Sequence, residues 1–316
     1  MNGALKLAWK YVTFHKSKSL ILIACIFLTA FLPIAIQLLL WQFNQKIVSR
    51  ADNTPAVVGA KGSSLDLTLN ALYFKSDSVT SFPFSEVATI RESELAQAIP
   101  IHSLYTARGY PVVGTSLEYF DFREHAAETG TYFTILGDCV LGNKLAQTLN
   151  LSVGEQLLTD RENVLNLAGQ TPLNLNITGV MKESRTPDDW AVFVDLKTAW
   201  VIQGLGHGHQ DLGNEEADSE ILLSRDDKKI VANAAVVSHI EITPANIDSF
   251  HFHGDTSEFP ITSIITLAPD VKAETILQGR YDDPKSAVQF AKPGSVVREL
   301  MDLVFKSKSS LMPTRS

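Results

Sequence analysis

The sequence predicts an α+β fold behind a single membrane anchor: one N-terminal transmembrane helix, then a two-lobed mixed α/β domain outside the membrane. Three observations predict it. "LILIACIFLTAFLPIAIQLLLWQF" (20–43) runs for 24 residues without a charge. Beyond it, alternating segments such as "LNLNITGVM" (173–181) are interleaved with helical spacings such as "SVVRELMDLVFK" (295–306), the mixture expected of α+β packing. The charge is also divided. Residues 1–46 hold Lys6, Lys10, Lys16, Lys18 and Lys46 and no acid, whereas the remainder carries 22 basic against 35 acidic residues, a net charge of −13.

The apolar run is long enough to span a bilayer, since 24 residues at about 1.5 Å each cover roughly 36 Å of helix. It exceeds the 7–15 residues typical of a signal-peptide core, and "LLLWQFNQK" after it offers no small-x-small cleavage site, so a retained anchor is expected. The lysines before the span place the N-terminus in the cytoplasm and the bulk outside. Trp9, Tyr11 and Trp41 suit the two interfaces, and Pro33 is a tolerated bend. No later apolar stretch is long enough to be a second span. The expected boundaries are 1–18 cytoplasmic, 19–43 transmembrane, 47–305 external domain and 306–316 tail.

The external elements follow in order. "AVVGAKG" (56–62) is a buried strand entering a turn. "SSLDLTLNALYF" (63–74) has leucines at helical spacing. "FPFSEVATIRES" (82–93) is a helix with Ser85 as expected N-cap. "AQAIPIHSLYTARGYPVVGTS" (96–116) is a hairpin. Residues 143–150 form a helix, followed by a "SVGE" turn and a strand. Residues 173–184 form an alternating strand, and "WAVFVDLKTAWVIQG" (190–204) is a strand passing into a helix. Residues 204–220 lack an apolar period and are expected to be a surface loop. Strands are expected over 229–243, 260–270 and 286–293, with helices over 271–281 and 295–306.

Several functions are excluded or disfavoured. An external domain this acidic does not suit a phosphate backbone, so nucleic acid is not an expected partner. "GAKGSS" is not G-x-x-x-x-G-K-[ST], and neither G-x-S-x-G nor H-E-x-x-H occurs. The chain is therefore expected not to be an enzyme, with no catalytic residues and no certain cofactor. Asp188 and Asp189 in "TPDDW" are read as capping or solvated acids. Cys25 and Cys139 are too far apart in character to pair, and Cys139 reads as a small buried apolar residue.

The remaining chemical signal is histidine. "GLGHGHQD" carries His207 and His209, and "SFHFHGD" carries His251 and His253. Imidazoles two apart on a strand or loop face one side, so either pair suits a borderline cation such as zinc, with Asp211, Glu215, Glu216 and Asp255 as possible oxygen ligands. The bland alternative is two polar loops or an exposed strand face.

The order of segments resembles the N-terminal half of MacB-like, FtsX-like permeases of ABC transporters. A basic start and first span lead into "VVGAKGSSLDLTLNALYF". Then come "YPVVGTSLEYFDFR" (110–123), similar to the family's GT-x-x-x-YF segment, and "DCVLGNKLAQTLNLSVGEQL" (138–157), similar to its VLG-x-x-x-A-x-x-L-x-L-x-VGD segment. "ITGVMKESRTPDDWAVFVDLKTAWVIQG" (177–204) resembles its strand, G-T-P-x-D loop and strand-helix element. The resemblance implies a periplasmic core domain on a bacterial inner membrane. Its lobes would comprise 47–111 plus 232–300, and an inserted 112–231. It implies a cytoplasmic ABC ATPase subunit as partner, a homodimer or paired permease, and a periplasmic protein or lipoprotein outside. Such permeases continue into three further spans after a helix like "SVVRELMDLV". Here "FKSKSSLMPTRS" follows, so the chain alone is not expected to work as a transporter subunit. The alternative is a stand-alone anchored binding module for a metal or a lipoprotein.

Overall fold

The computed structural model describes residues 3–75, 79–161, 171–208, 222–226, 229–232 and 239–309. It divides into two compact units, Met1–Asp52 and Asn53–Ser316. The first is helical, with α1 (Gly3–Phe14) and α2 (Lys16–Asp52). The 37 residues of α2 make about 55 Å of helix, more than the roughly 30 Å of a hydrocarbon core. Pro33 lies inside it, and the apolar side chains from Leu20 to Trp41 are largely exposed, as lipid contact requires.

The second unit begins with β1 (Ala56–Ala60), α3 (Ser64–Tyr73), β2 (Phe82–Pro83), α4 (Ser85–Glu92), β3 (Gln97–Ala107) and β4 (Tyr110–Thr115). Next come α5 (Glu118–Phe122), β5 (Ala127–Gly130), β6 (Asp138–Leu141), α6 (Asn143–Leu149), β7 (Gln156–Leu158), β8 (Leu173–Met181), β9 (Val192–Asp195) and α7 (Leu196–Ile202). The chain continues through β10 (Gly206–Gly208), β11 (Leu222–Asp226), β12 (Lys229–Ala232), β13 (Ile240–Glu241), β14 (Phe250–Phe252), β15 (Pro260–Ile261), β16 (Ser263–Leu267), α8 (Val271–Tyr281), β17 (Val288–Ala291) and α9 (Pro293–Ser309).

One mixed sheet organises this unit, in the order β13-β8-β6-β9-β4-β3-β16-β1-β17, with β5 and β7 also paired to β8. β8 alternates buried and half-buried residues along its length, the pattern its sequence predicts. Among the described residues, two hydrophobic clusters lie along the path. One gathers Val112, Leu141, Leu145, Leu175, Val192, Val194, Val201 and Ile202. The other gathers Val58, Val87, Ile90, Ile261, Ile264 and Leu277. Helix α7 serves both, giving Ala199, Val201 and Ile202 to the first and Leu196 and Trp200 to the second.

Local chemistry explains the element boundaries. Ser63 caps α3 by accepting from the Asp66 N–H, a bond typically worth about 1 kcal/mol. At its other end Phe74 adopts φ 59° and closes the helix through the Asn70 and Leu69 carbonyls. A bulky residue in the left-handed region is strained by about 1–2 kcal/mol. The Phe74 ring offsets this by burial against Phe193, 5.8 Å away edge-on, since burying such a side chain contributes about 1.5–3 kcal/mol.

Three expectations need correction. Ser85 is not the cap of α4. It is the first helical residue, after Phe84, and no side chain caps that end. Packing decides the start: the Phe84 N–H donates to the Phe259 carbonyl and its ring meets Trp200 at 5.3 Å. The strand expected over 229–243 has two different partners among the described residues, because 229–232 pair antiparallel with β11 while Ile240–Glu241 join β8 in parallel, and 233–238 lie outside them. Residues 204–220 are not all loop, because Gly206–Gly208 form β10. The rest of that stretch lies outside the described residues.

Candidate functional site

Strands β10 and β14 make a short antiparallel ribbon. Its register pairs Gly206 with Phe252, His207 with His251, and Gly208 with Phe250. Directly opposed residues share a face, so glycine and phenylalanine take one side and histidine the other. The glycines make room for the rings. A Cβ on Gly206 would lie 2.7 Å from the Phe252 ring, and one on Gly208 2.6 Å from the Phe250 ring. Phe250 and Phe252 pack against the first hydrophobic cluster, and Phe252 also joins the second, with Trp200 at 6.4 Å and Phe259 at 5.9 Å. The apolar face thus seats the ribbon where the two clusters meet, and the imidazoles are held out from it.

His253 continues the alternation of β14, and its N–H reaches the Leu205 carbonyl at 3.4 Å. Its ring joins those of His207 and His251, with centroids 4.7–5.0 Å apart. The Nε2 atoms of His207 and His253 are 3.4 Å apart. One nitrogen from each of the three rings falls within 4.8 Å of the others. His251 Nδ1 lies 3.1 Å from the Ser249 carbonyl. A carbonyl only accepts, so Nδ1 is the donor and Nε2 the basic nitrogen, the tautomer a metal-binding histidine uses.

Of the four histidines singled out by sequence, the structure therefore brings together His207, His251 and His253. His209, with Asp211, Glu215 and Glu216, lies outside the described residues. Asp255 is not in the cluster. It caps the turn at Thr256–Glu258 by accepting from the Ser257 N–H, and that bond holds its carboxyl below the ordinary carboxylate range.

A second polar group was half read from sequence: of the two readings, capping holds for Asp189 and solvation fails. Asp188 and Asp189 are buried, not solvated. Asp188 accepts from the Tyr119 hydroxyl at 2.8 Å and the Thr186 hydroxyl at 3.0 Å, and faces His125 Nε2 at 2.9 Å. Asp189 accepts from the Ser184 and Arg185 N–H groups and the Ser184 hydroxyl. Gly142 abuts the same turn so closely that a Cβ would lie 2.3 Å from the Asp188 carbonyl oxygen. The segments 110–123, 138–157 and 177–204 thus converge on one buried fastening. Tyr119 and His125 escaped sequence reasoning because nothing local marks them as partners of an acid more than sixty positions away.

Cys139 is fully buried, which pushes its thiol pKa up, and Cys25 lies in α2; neither is in a disulfide.

A family model described as the MacB-like periplasmic core domain matches residues 19–236. The chain belongs to this family. It is a MacB-like periplasmic domain of an ABC-type transporter permease, with one N-terminal helix long and apolar enough to cross a membrane. ABC transporters work with a cytoplasmic ATPase, and such periplasmic domains are not themselves enzymes. Among solved structures, the chain is similar to the periplasmic region of MacB from Actinobacillus actinomycetemcomitans, at 10% identity and a TM-score of 0.46, covering 79% of this chain and 94% of that one. It is also similar to the extracellular domain of the noncanonic ABC-type transporter YknZ from Gram-positive bacteria, at 12% identity and a TM-score of 0.38, covering 74% and 97%. No curated protein sequence matches.

Proposed function

We propose that this MacB-like domain converts ATP hydrolysis by a separate cytoplasmic ATPase into conformational change outside a bacterial inner membrane. The N-terminus faces the cytoplasm and the bulk faces the periplasm. The chain works in a homodimer or paired permease and acts on a periplasmic protein or lipoprotein. One observation carries this reading: α2 runs as a single helix from Lys16 to Asp52, and only three residues separate it from β1. A continuous helix transmits displacement, whereas a long glycine- or serine-rich linker dissipates it. The lobes are built from 47–111 with 232–300 and from 112–231; the second cluster draws mostly on the outer segments and the first mostly on the inserted one, with α7 and Phe252 in both and Ala107 and Ile242 crossing over.

The test is purification of the tagged chain from native membranes with any bound partner. Co-purification of an ABC ATPase whose hydrolysis rate changes when the chain is reconstituted beside it supports the reading. Its consistent absence, in membranes where that ATPase is expressed, sinks it. The histidine cluster favours a second reading, an anchored binding module that works without ATP, and the same absence would leave that one standing.

A further inference from the structure

We propose that His207, His251 and His253 form a zinc(II) site, clipping β10 to β14. The proposal rests on side-chain geometry and stands whether or not an ATPase partners the chain.

Four points carry it. First, the donor set is three imidazoles, which suits zinc and its neighbours in the transition series and not calcium or magnesium, which take oxygen. Second, one spacing already fits the shape, while the nitrogen of His251 lies within 4.8 Å of the other two and must close on the ion. Zinc–nitrogen bonds of about 2.0–2.1 Å make the edge of a tetrahedron roughly 3.3–3.4 Å. The Nε2 atoms of His207 and His253 are 3.4 Å apart. A square-planar ion such as copper(II) would need a shorter cis edge, about 2.9 Å. Third, the Ser249 carbonyl orients His251 from behind, the outer-sphere bond that fixes tautomer and ring angle in metal-binding histidines;. Fourth, the site is built on paired backbone and not on free loops. His207 and His251 are register partners, and the opposite face of the ribbon is anchored in core by Phe250 and Phe252. His207 is exposed and His251 half-buried, so an ion can reach the site from solvent.

Among the described residues three ligands are in place, one short of a complete tetrahedral set;. Loading ties the chain just after α7 to the chain just before β15.

The experiment uses the full chain in detergent micelles, stripped of metal. Zinc(II) is titrated against a chromophoric chelator, and cobalt(II) is titrated by visible absorption. One equivalent of each is expected to bind, with the intense absorption of tetrahedral cobalt. His207→Ala and His253→Ala are each expected to weaken zinc binding by about a hundredfold. His253→Gln, closer in shape, is expected to do the same with the ribbon intact. His239→Ala, outside the cluster, is expected to change nothing. Amide exchange across residues 205–208 and 250–253 is expected to slow on loading. No zinc binding at micromolar concentration would overturn the site. So would binding that survives the histidine substitutions, or the weak spectrum of octahedral cobalt.

Discussion

Replacing Asp188 by alanine should loosen the domain more than any surface change. The side chain is buried, and the groups that approach it include the Tyr119 hydroxyl at 2.8 Å, His125 Nε2 at 2.9 Å and the Thr186 hydroxyl at 3.0 Å. Tyr119 is itself fully buried, so its hydroxyl cannot turn to water when the acceptor is lost. Each stranded polar group costs about 1–1.5 kcal/mol at the low end of the desolvation range, so Asp188→Ala should cost about 3–5 kcal/mol. For a unit of this size that lowers the thermal midpoint by about 10 °C. Asp188→Asn keeps one acceptor oxygen for Tyr119 and should lose about half as much. Trp190, in the same turn and stacked on Tyr110 at 6.0 Å, gives the readout: denaturant unfolding followed by tryptophan fluorescence. If Asp188→Ala unfolds within about 1 kcal/mol of the parent chain, the network is replaceable by solvent and the fastening argument is wrong.

Acid should destabilise the fold through His102, whose burial lowers its pKa from 6.5 to about 4, against a smaller opposing effect of Gln203. The unfolded chain then binds the extra proton between those values, so stability present above pH 6.5 is lost as pH falls toward 4, about 3 kcal/mol in all;. A denaturation series from pH 7 to 4.5 should show this loss, and His102→Leu should flatten it; an equal slope in the variant would rule His102 out as the cause. On the ribbon, Gly206→Ala sets a Cβ 2.7 Å from the Phe252 ring, so the ring must move and the imidazoles with it. Zinc affinity should fall about tenfold or more while the far-ultraviolet circular dichroism stays that of the parent, and unchanged affinity would show that the glycine face does not position the histidines.

The legible part of this fold was its periodic part. The alternation in 173–181 and the strand-to-helix passage at 190–204 show in β8, β9 and α7 because one face of each is buried and sequence period reports burial directly;. The ribbon was half legible. "FHFH" alternates aromatic and polar residues and reads as a strand, whereas "GHGH" has no apolar residue and reads as a loop. Its strand character comes wholly from its partner, since Gly206 and Gly208 supply the space that Phe252 and Phe250 fill. The burial of the two adjacent acids was missed for a related reason. Exposure is the rule for carboxylates, and the groups that bring Asp188 inside come from segments 110–123 and 124–130, which no local pattern connects to it.

The seat of the ribbon gives the proposed ion a mechanical consequence. Helix α7 places Leu196 and Trp200 in one cluster and Ala199, Val201 and Ile202 in the other, and β10 begins four residues after it ends. β14 touches the same junction through Phe252, which belongs to both clusters. An ion bridging His207 to His251 and His253 would resist any movement that shears one cluster past the other, because such movement must either slide β10 along β14 or lift Phe252 from Trp200. Interiors this closely packed respond by switching between discrete arrangements and not by gradual deformation. A metal that prefers one arrangement shifts the population only by its difference in affinity for the two. The proposed site therefore acts on motion only if its geometry changes between arrangements, and the 3.4 Å Nε2 separation is the spacing from which the proposal assigns zinc to the arrangement described here.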